Sequence, residues 1–147
     1  MFRRILVSTD GSTRSSRAVR SAASLARCCG SSLTIFYAIP VYQIPYYAEG
    51  MSFAWPSESL YVKGTDQEAA RLLRKARALA AKQGVAATTT QARAGDVAQA
   101  IVNAAARARA DLIVMASHGR RGVNKVLLGS ETQKVLARTK TPVLIMR

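Results

Sequence analysis

Five short apolar runs, each stopped by turn-forming residues, alternate with four stretches whose apolar positions recur at helical spacing. That alternation predicts a doubly wound α/β fold, with a five-stranded parallel sheet and helices on both faces. Strands joined through helices are parallel, because such crossovers are right-handed. With 147 residues, the chain is read as one domain, residues 1–147, on a prior of about 100 to 200 residues per domain.

Ile5-Leu6-Val7 ends sharply in Ser8-Thr9-Asp10-Gly11-Ser12, as a buried strand feeding a turn does. From Ser12 to Cys29, Ala18, Ala22, Leu25 and Cys29 keep helical spacing, and Gly30 closes the helix. Leu33 to Ile39 is β-branched and aromatic and stops at Pro40, so it is the second strand. A long segment runs to about Gly64. Helical period returns from Asp66 to Gln83 through Ala69, Leu72, Leu73, Ala76 and Leu79, with Gly84 closing it. Val85 to Gln91 is threonine-rich and less apolar, which suits an edge strand. Gly95 to Arg107 reads as helix, Leu112 to Ala116 as strand, Ser130 to Arg138 as a short helix, and Val143 to Met146 as the last strand.

Composition excludes several classes. With 49% hydrophobic and 20% charged residues, the chain has globular rather than disordered proportions. Cys28 and Cys29 are neighbours and cannot staple distant segments, so a reducing, cytoplasmic setting is expected. Arg3 and Arg4 precede only three strongly apolar residues, fewer than the roughly 7 to 15 of a signal-peptide core. The uncharged stretch from Cys28 to Ala48 is broken by Gly30, Pro40 and Pro45, so no membrane span is expected.

Ligands of doubly wound sheets sit outside the carboxyl ends of the strands where the winding reverses, which points to the loops after the first and fourth strands. The loop from Met115 to Thr132 carries Gly119 and Gly129, where the backbone can approach a ligand, and then Ser130 at a helix start. Free amides at Ser130 to Thr132 would meet an anion at the positive end of the helix dipole, with Arg120, Arg121 and Lys125 raising the local potential. A ligand-free explanation also exists: Ser130 with Gln133 reads as a capping box.

These residues resemble the universal stress protein family. Its ATP-binding members show a glycine, two residues, a second glycine, nine residues, then glycine followed by Ser or Thr. The matching stretch here runs from Ala116 through Gly119 to Gly129-Ser130, with Arg120 to Leu128 between the glycines. Thr9-Asp10-Gly11-Ser12 and Pro142-Val143-Leu144-Ile145 match the family's first-strand ending and final strand. The resemblance implies a Rossmann-like fold of the adenine nucleotide alpha hydrolase type and an ATP-binding regulatory module, with ADP or AMP as other ligands and Mg²⁺ held through the phosphates. It implies that Thr9 and Asp10 approach the nucleoside, Asp10 toward the ribose. Ala38 matches a position whose backbone meets the adenine edge, Met115 and Ala116 those lining the sugar, and Gly119, Gly129, Ser130, Glu131 and Thr132 the phosphate cradle. Ala116 stands where the family has glycine, and Glu131 sets a carboxylate beside the proposed phosphates. Those two departures motivate an alternative, a nucleotide-free scaffold or chaperone-like dimer. Slow ATP hydrolysis is the third reading. The resemblance also implies a homodimer through Val143 to Ile145, otherwise an exposed apolar edge.

Other constellations carry less. His118 is the only histidine, no cluster has metal-ligand spacing, and Ser117-His118 is poor geometry for a nucleophile and its base. No G-x-G-x-x-G follows the first strand and no G-x-x-x-x-G-K-[ST] occurs, so binding is expected rather than fast phosphoryl transfer. Eight of the nine aromatics lie between Phe36 and Tyr61, which suits a long segment packing itself down or forming a lid or an oligomer contact. The net charge of +14 raises nucleic acid as a partner. The basic residues nevertheless belong to separate helices and do not interleave with aromatics, so solvated faces are the expectation and nucleic acid is not. A protein partner is expected for a regulatory module, with nothing in the sequence to say which.

Overall fold

The computed structural model describes residues 1–42, 57–118 and 128–147. Its elements run β1 (Arg4–Ser8), α1 (Thr13–Cys29), β2 (Ser32–Pro40), α2 (Glu58–Ala81), β3 (Thr88–Ala94), α3 (Val97–Arg107), β4 (Leu112–Ala116), α4 (Ser130–Arg138) and β5 (Val143–Met146). All five strands are parallel, in the spatial order β3-β2-β1-β4-β5. The winding goes outward from β1 through β2 to β3, then returns to the other side of β1 as β4 and β5. The reversal therefore falls between β1 and β4, the sheet's switch point.

Central strands are buried on both faces, which is why β1, β2 and β4 read as continuous apolar runs. Ile5, Val7, Leu33, Ile35, Leu112 and Val114 face α1 and α2. Leu6, Phe36, Ile113 and Met115 face α3 and α4. Alanines at 18, 22, 23 and 26 bring α1 close to the sheet, and Gly30 supplies the left-handed turn that ends it (φ +65°).

Two boundaries differ from the sequence reading. Helix α2 starts at Glu58 rather than Asp66, capped by the Ser57 hydroxyl, and runs through Gly64. A glycine interior to a helix costs only about 1 kcal/mol, which a well-packed helix absorbs. The edge strand is Thr88–Ala94 rather than Val85 to Gln91. Val85 and Ala87 are instead buried beneath α2 as the chain enters the sheet, and Thr88 to Ala94 pair with Thr34 to Pro40. The aromatic segment lies largely outside the described residues. At its ends Tyr42 and Tyr61 stack at a tilt, 5.1 Å between ring centroids, and the Tyr61 hydroxyl donates to the Val41 carbonyl at 3.3 Å.

The amino-terminal end of the sheet is clipped by Asp111. Its carboxylate accepts from the Arg3 amide at 2.9 and 3.1 Å and from the Arg4 amide at 2.9 Å, tying the entry of β4 to that of β1. Those amide bonds, Arg3's first and then Arg4's, hold the carboxyl below the ordinary carboxylate range. A depressed folded-state pKa contributes stability above the unfolded value of about 3.9, and that contribution is lost as pH falls through the folded one. Asp111→Asn is therefore expected to lower the melting temperature at pH 7. The gap from the parent protein should narrow as thermal melts are repeated toward pH 3, and a gap independent of pH would contradict this role.

Candidate functional site

Parallel pairing sets the carboxyl ends of β2, β1, β4 and β5 side by side. Ile5 pairs with Leu112 and Val7 with Val114, so the register carried forward puts Thr9 level with Ala116. Ser8 pairs with Phe36, which puts Asp10 level with Ala38 on the other side. Ala116 pairs with Met146. Sequence-predicted residues far apart in the chain, Thr9, Asp10, Ala38 and Ala116, thus share one edge of the sheet.

The turn after β1 is ordered by a hydroxyl network. Thr9 is buried, and its amide donates to the Phe36 carbonyl at 2.9 Å. Thr9 Oγ1 lies 3.1 Å from Ser15 Oγ and accepts from the Gly11 amide at 3.2 Å. Asp10 Oδ1 accepts from the Ser12 amide at 3.0 Å, while the Ser12 hydroxyl caps α1 by accepting from the Ser15 amide at 3.1 Å. Gly11 has φ +79°, which a side chain would strain. Ser15 is buried and links Thr9, Asp10 and Ser12, a role the sequence reading missed. Its signal was available: a serine inside the apolar stripe of α1, three residues after another serine at the helix start.

Across the switch point, the turn after β4 is tied to the start of α4. The Ser117 amide donates to the Met146 carbonyl and the Gly129 amide to the Ser117 carbonyl, both at 2.8 Å. Thr132 Oγ1 reaches back to the Ala116 carbonyl at 3.2 Å. Ser117 and Thr132 are buried, and His118 Nδ1 sits 3.2 Å from Ser117 Oγ. Gly119, Arg120, Arg121 and Lys125 lie outside the described residues.

The capping box expected at Ser130 and Gln133 is not formed. Gly129, not Ser130, is the N-cap, and no side chain caps α4. Gln133 Nε2 donates instead to the Leu128 carbonyl at 2.8 Å. Helices α1, α2 and α3 are each capped by a side chain, Ser12, Ser57 and Asp96. Among the described residues, α4 alone leaves its first-turn amides without a side-chain acceptor, and it does so beside the Thr9–Ser12 turn.

Both departures from the family pattern have a physical resolution. Ala116 is strand residue with no positive φ, so its methyl group needs no strained backbone. Glu131 directs its carboxylate to the start of α3, accepting from the Ala98 amide at 3.1 Å and pairing with Lys134 at 2.9 Å. Asp96 binds Arg138 at 2.6 Å across the same interface. The Arg138 bond, followed by the Gln99 amide, holds the Asp96 carboxyl below its usual range. Met115 is 4% exposed with its side chain in the core against α3, so its backbone alone can border the cleft. A cavity of about 340 Å³ lies between the β2–β3 edge of the sheet and α3, lined by Thr34, Thr88, Ala92, Ala104 and Arg107 among others, and is separate from the junction of β1, β4 and α4.

A family model described as "Universal stress protein family" matches residues 1–147. The chain is 33% identical over 157 residues to a universal stress protein of Thermus aquaticus, covering 100% of both sequences. It is 31% identical over 147 residues to one from Methanocaldococcus jannaschii, covering 100% of this chain and 83% of the other. Among solved structures, a universal stress protein in complex with cAMP is similar with a TM-score of 0.73 and 26% identity, over 99% of this chain and 97% of that one.

Gly129 shows what the cleft's geometry tolerates. A Cβ there would lie 3.1 Å from the Ser117 carbonyl oxygen and 3.3 Å from His118 Cα, both backbone atoms, while φ is an ordinary −61°. Gly129→Ala should therefore destabilise by overpacking, by about 1 to 3 kcal/mol in chemical denaturation. Unchanged stability would mean that the Ser117-His118 segment gives way freely.

Proposed function

The chain belongs to the universal stress protein family, and on that premise we propose that it is an adenine-nucleotide-binding regulatory module. One observation carries the reading: the amino terminus of α4, which no side chain among the described residues caps, lies at the switch point, beside the ordered turn that carries Asp10. Amides of Ser130, Glu131 and Thr132 suit a phosphate tail, because helix-terminal donors and the dipole both favour negative charge. Gly119 and Gly129 belong to the same proposed cradle. Thr9 and Asp10 would meet the nucleoside, with the carboxylate suited to ribose hydroxyls and repelled by phosphate. Ala38 would offer backbone to the base, and Met115 and Ala116 would border the sugar. Further support comes from the family relationship itself and from the cAMP complex of the solved relative.

ATP is the proposed ligand, with ADP and AMP as weaker alternatives, since a longer phosphate chain engages more of the α4 amides. Mg²⁺ would accompany the phosphates, as no group of three or more His, Cys, Asp or Glu is gathered among the described residues. Binding rather than catalysis is proposed. The described site offers Ser117 and His118 next to one another, without a third group bonded to the ring among the described residues. A cytoplasmic setting is part of the proposal, and no described helix is long and apolar enough to cross a membrane.

We also propose a homodimer through β5. It is an edge strand whose Leu144 is 39% exposed, while Val143 and Ile145 pack inward against the α3 core. Pairing Val143 to Ile145 across a two-fold axis would cover both the apolar side chain and the unpaired backbone.

Two measurements test these readings. Calorimetric titration should show saturable ATP binding, and Asp10→Ala should weaken it at least tenfold, about 1.4 kcal/mol, without changing the inorganic triphosphate affinity. Absence of heat at millimolar ATP would overturn the nucleotide reading. Light scattering should give twice the 15.8 kDa chain mass, with Leu144→Lys shifting the population toward monomer. A monomeric parent protein would overturn the dimer.

A further inference from the structure

Basic residues exceed acidic ones by 14 charges, and the fold does not distribute that excess evenly. Helices α1 and α2, separate in sequence, lie side by side on one face of the sheet. Their carboxyl ends touch: Ser24 Oγ donates to Gln83 Oε1 at 3.1 Å, and a Cβ at Gly84 would stand 3.8 Å from Arg27 Cδ. Arg27 therefore borders α2, and Arg20, seven residues earlier, occupies the same stripe of α1. Lys75 and Lys82 form the equivalent seven-residue pair on α2. Each pair spans about 10 Å along its helix, and packed helix axes lie about 8 to 10 Å apart. Arg17 and Arg74 add to the same exposed layer.

Acid is missing from this layer. Helix α1 contains no Asp or Glu, and α2 contains none after Glu68. Asp66 and Glu68, nearer the start of α2, are already paired with Arg93 and Arg71. None of the six cations named makes an ion pair or a side-chain hydrogen bond among the described residues. Six unneutralised charges on two adjacent helices repel one another, and a polyanion relieves that repulsion.

We propose that the shared outer face of α1 and α2 binds the phosphate backbone of a nucleic-acid duplex without reading its bases. Charge complementarity selects this occupant, because a duplex presents one negative charge per about 1.7 Å of axis and releases counterions when cations replace them. Arginine predominates, and its guanidinium fork matches phosphate oxygens. A bilayer fits less well: among the described residues, the exposed large apolar side chains are Met1, Leu60, Leu136 and Leu144, none of them in the patch to anchor it. This face is distinct from the cleft at the carboxyl ends of the strands, and its occupancy does not depend on the nucleotide.

Fluorescence anisotropy with a labelled mixed-sequence duplex of about 20 base pairs, as DNA and as RNA, tests the proposal between about 50 and 200 mM salt. The expected result is binding that weakens steeply with salt and is insensitive to duplex sequence; the two arms tell which nucleic acid is preferred. Replacing Arg20, Arg27, Lys75 and Lys82 together by Gln should weaken binding at least tenfold at low salt and reduce the log–log salt slope by about three to four. A control of equal net charge, with Arg3, Arg107, Lys140 and Arg147 replaced by Gln, should retain most of the affinity. If the fourfold patch variant fails to fold, Arg20→Gln with Arg27→Gln should reduce the slope by about two. Equal losses in patch and control variants, or no duplex binding at low salt, would overturn the proposal. So would binding to vesicles of phosphatidylserine and phosphatidylcholine that requires the patch while duplex binding does not.

Discussion

Pairing of β1 with β4 is the constraint on which the remaining structure depends. Ile5, Leu6 and Val7 lie against Leu112, Ile113 and Val114 at the centre of the sheet, and both strands are buried on both faces. Because the chain travels one way from β1 to β3 and the other way through β4 to β5, helices diverge from this pair. The turns after the two strands are consequently left side by side at the carboxyl edge, with no helix among the described residues crossing between them. Asp111 fixes the same pair at the opposite end, so the strands are held at both extremities. An error of one residue in this register would exchange the faces of β4 and set the side chains of each core against the wrong helices.

Acidic residues are few in this protein, and several serve to hold elements together. Asp96 caps α3 and binds Arg138, Glu131 accepts from the Ala98 amide and pairs with Lys134, and Asp66 pairs with Arg93. The first two bridge α3 and α4, so the α4 terminus is held from the neighbouring helix as well as by the bonds of Gly129 and Thr132 to the end of β4. This explains how a carboxylate can stand in the first turn of α4 without opposing an anion there. Helix α1 has no acid and α2 none beyond Glu68, which concentrates positive potential on their shared outer layer.

Much of the architecture was legible in the sequence because buried parallel strands announce themselves as unbroken apolar runs: β1, β4 and β5 fall where Ile5-Leu6-Val7, Leu112 to Ala116 and Val143 to Met146 predicted. The start of α2 was obscured by Gly64, whose local preference for turns is overridden by packing further along the helix. Edge strand β3 was displaced because Val85 and Ala87 carry the stronger apolar signal yet belong to the connection under α2. At the candidate site, the switch-point argument and the family resemblance brought Asp10 and Gly129 to attention, but the cap of α4 was misassigned because Ser-x-x-Gln matches a capping box that the helix does not use. Ser15 carried a local signal, its spacing from Ser12, whereas the turn of Glu131 toward α3 could not be read locally, since it depends on a partner that only the tertiary fold brings near. Adjacency of α1 and α2 was hidden for the same reason.

Gly129 donating to the Ser117 carbonyl, much as a buckle closes a strap, holds together two residues that are twelve apart in the chain. Because the Ser117 amide in turn donates to the Met146 carbonyl, one continuous line of main-chain bonds runs from the last strand through the end of β4 to the start of α4. These three elements therefore move as one body, and a displacement of the edge strand would be transmitted to the amino terminus of α4 without any side chain in between.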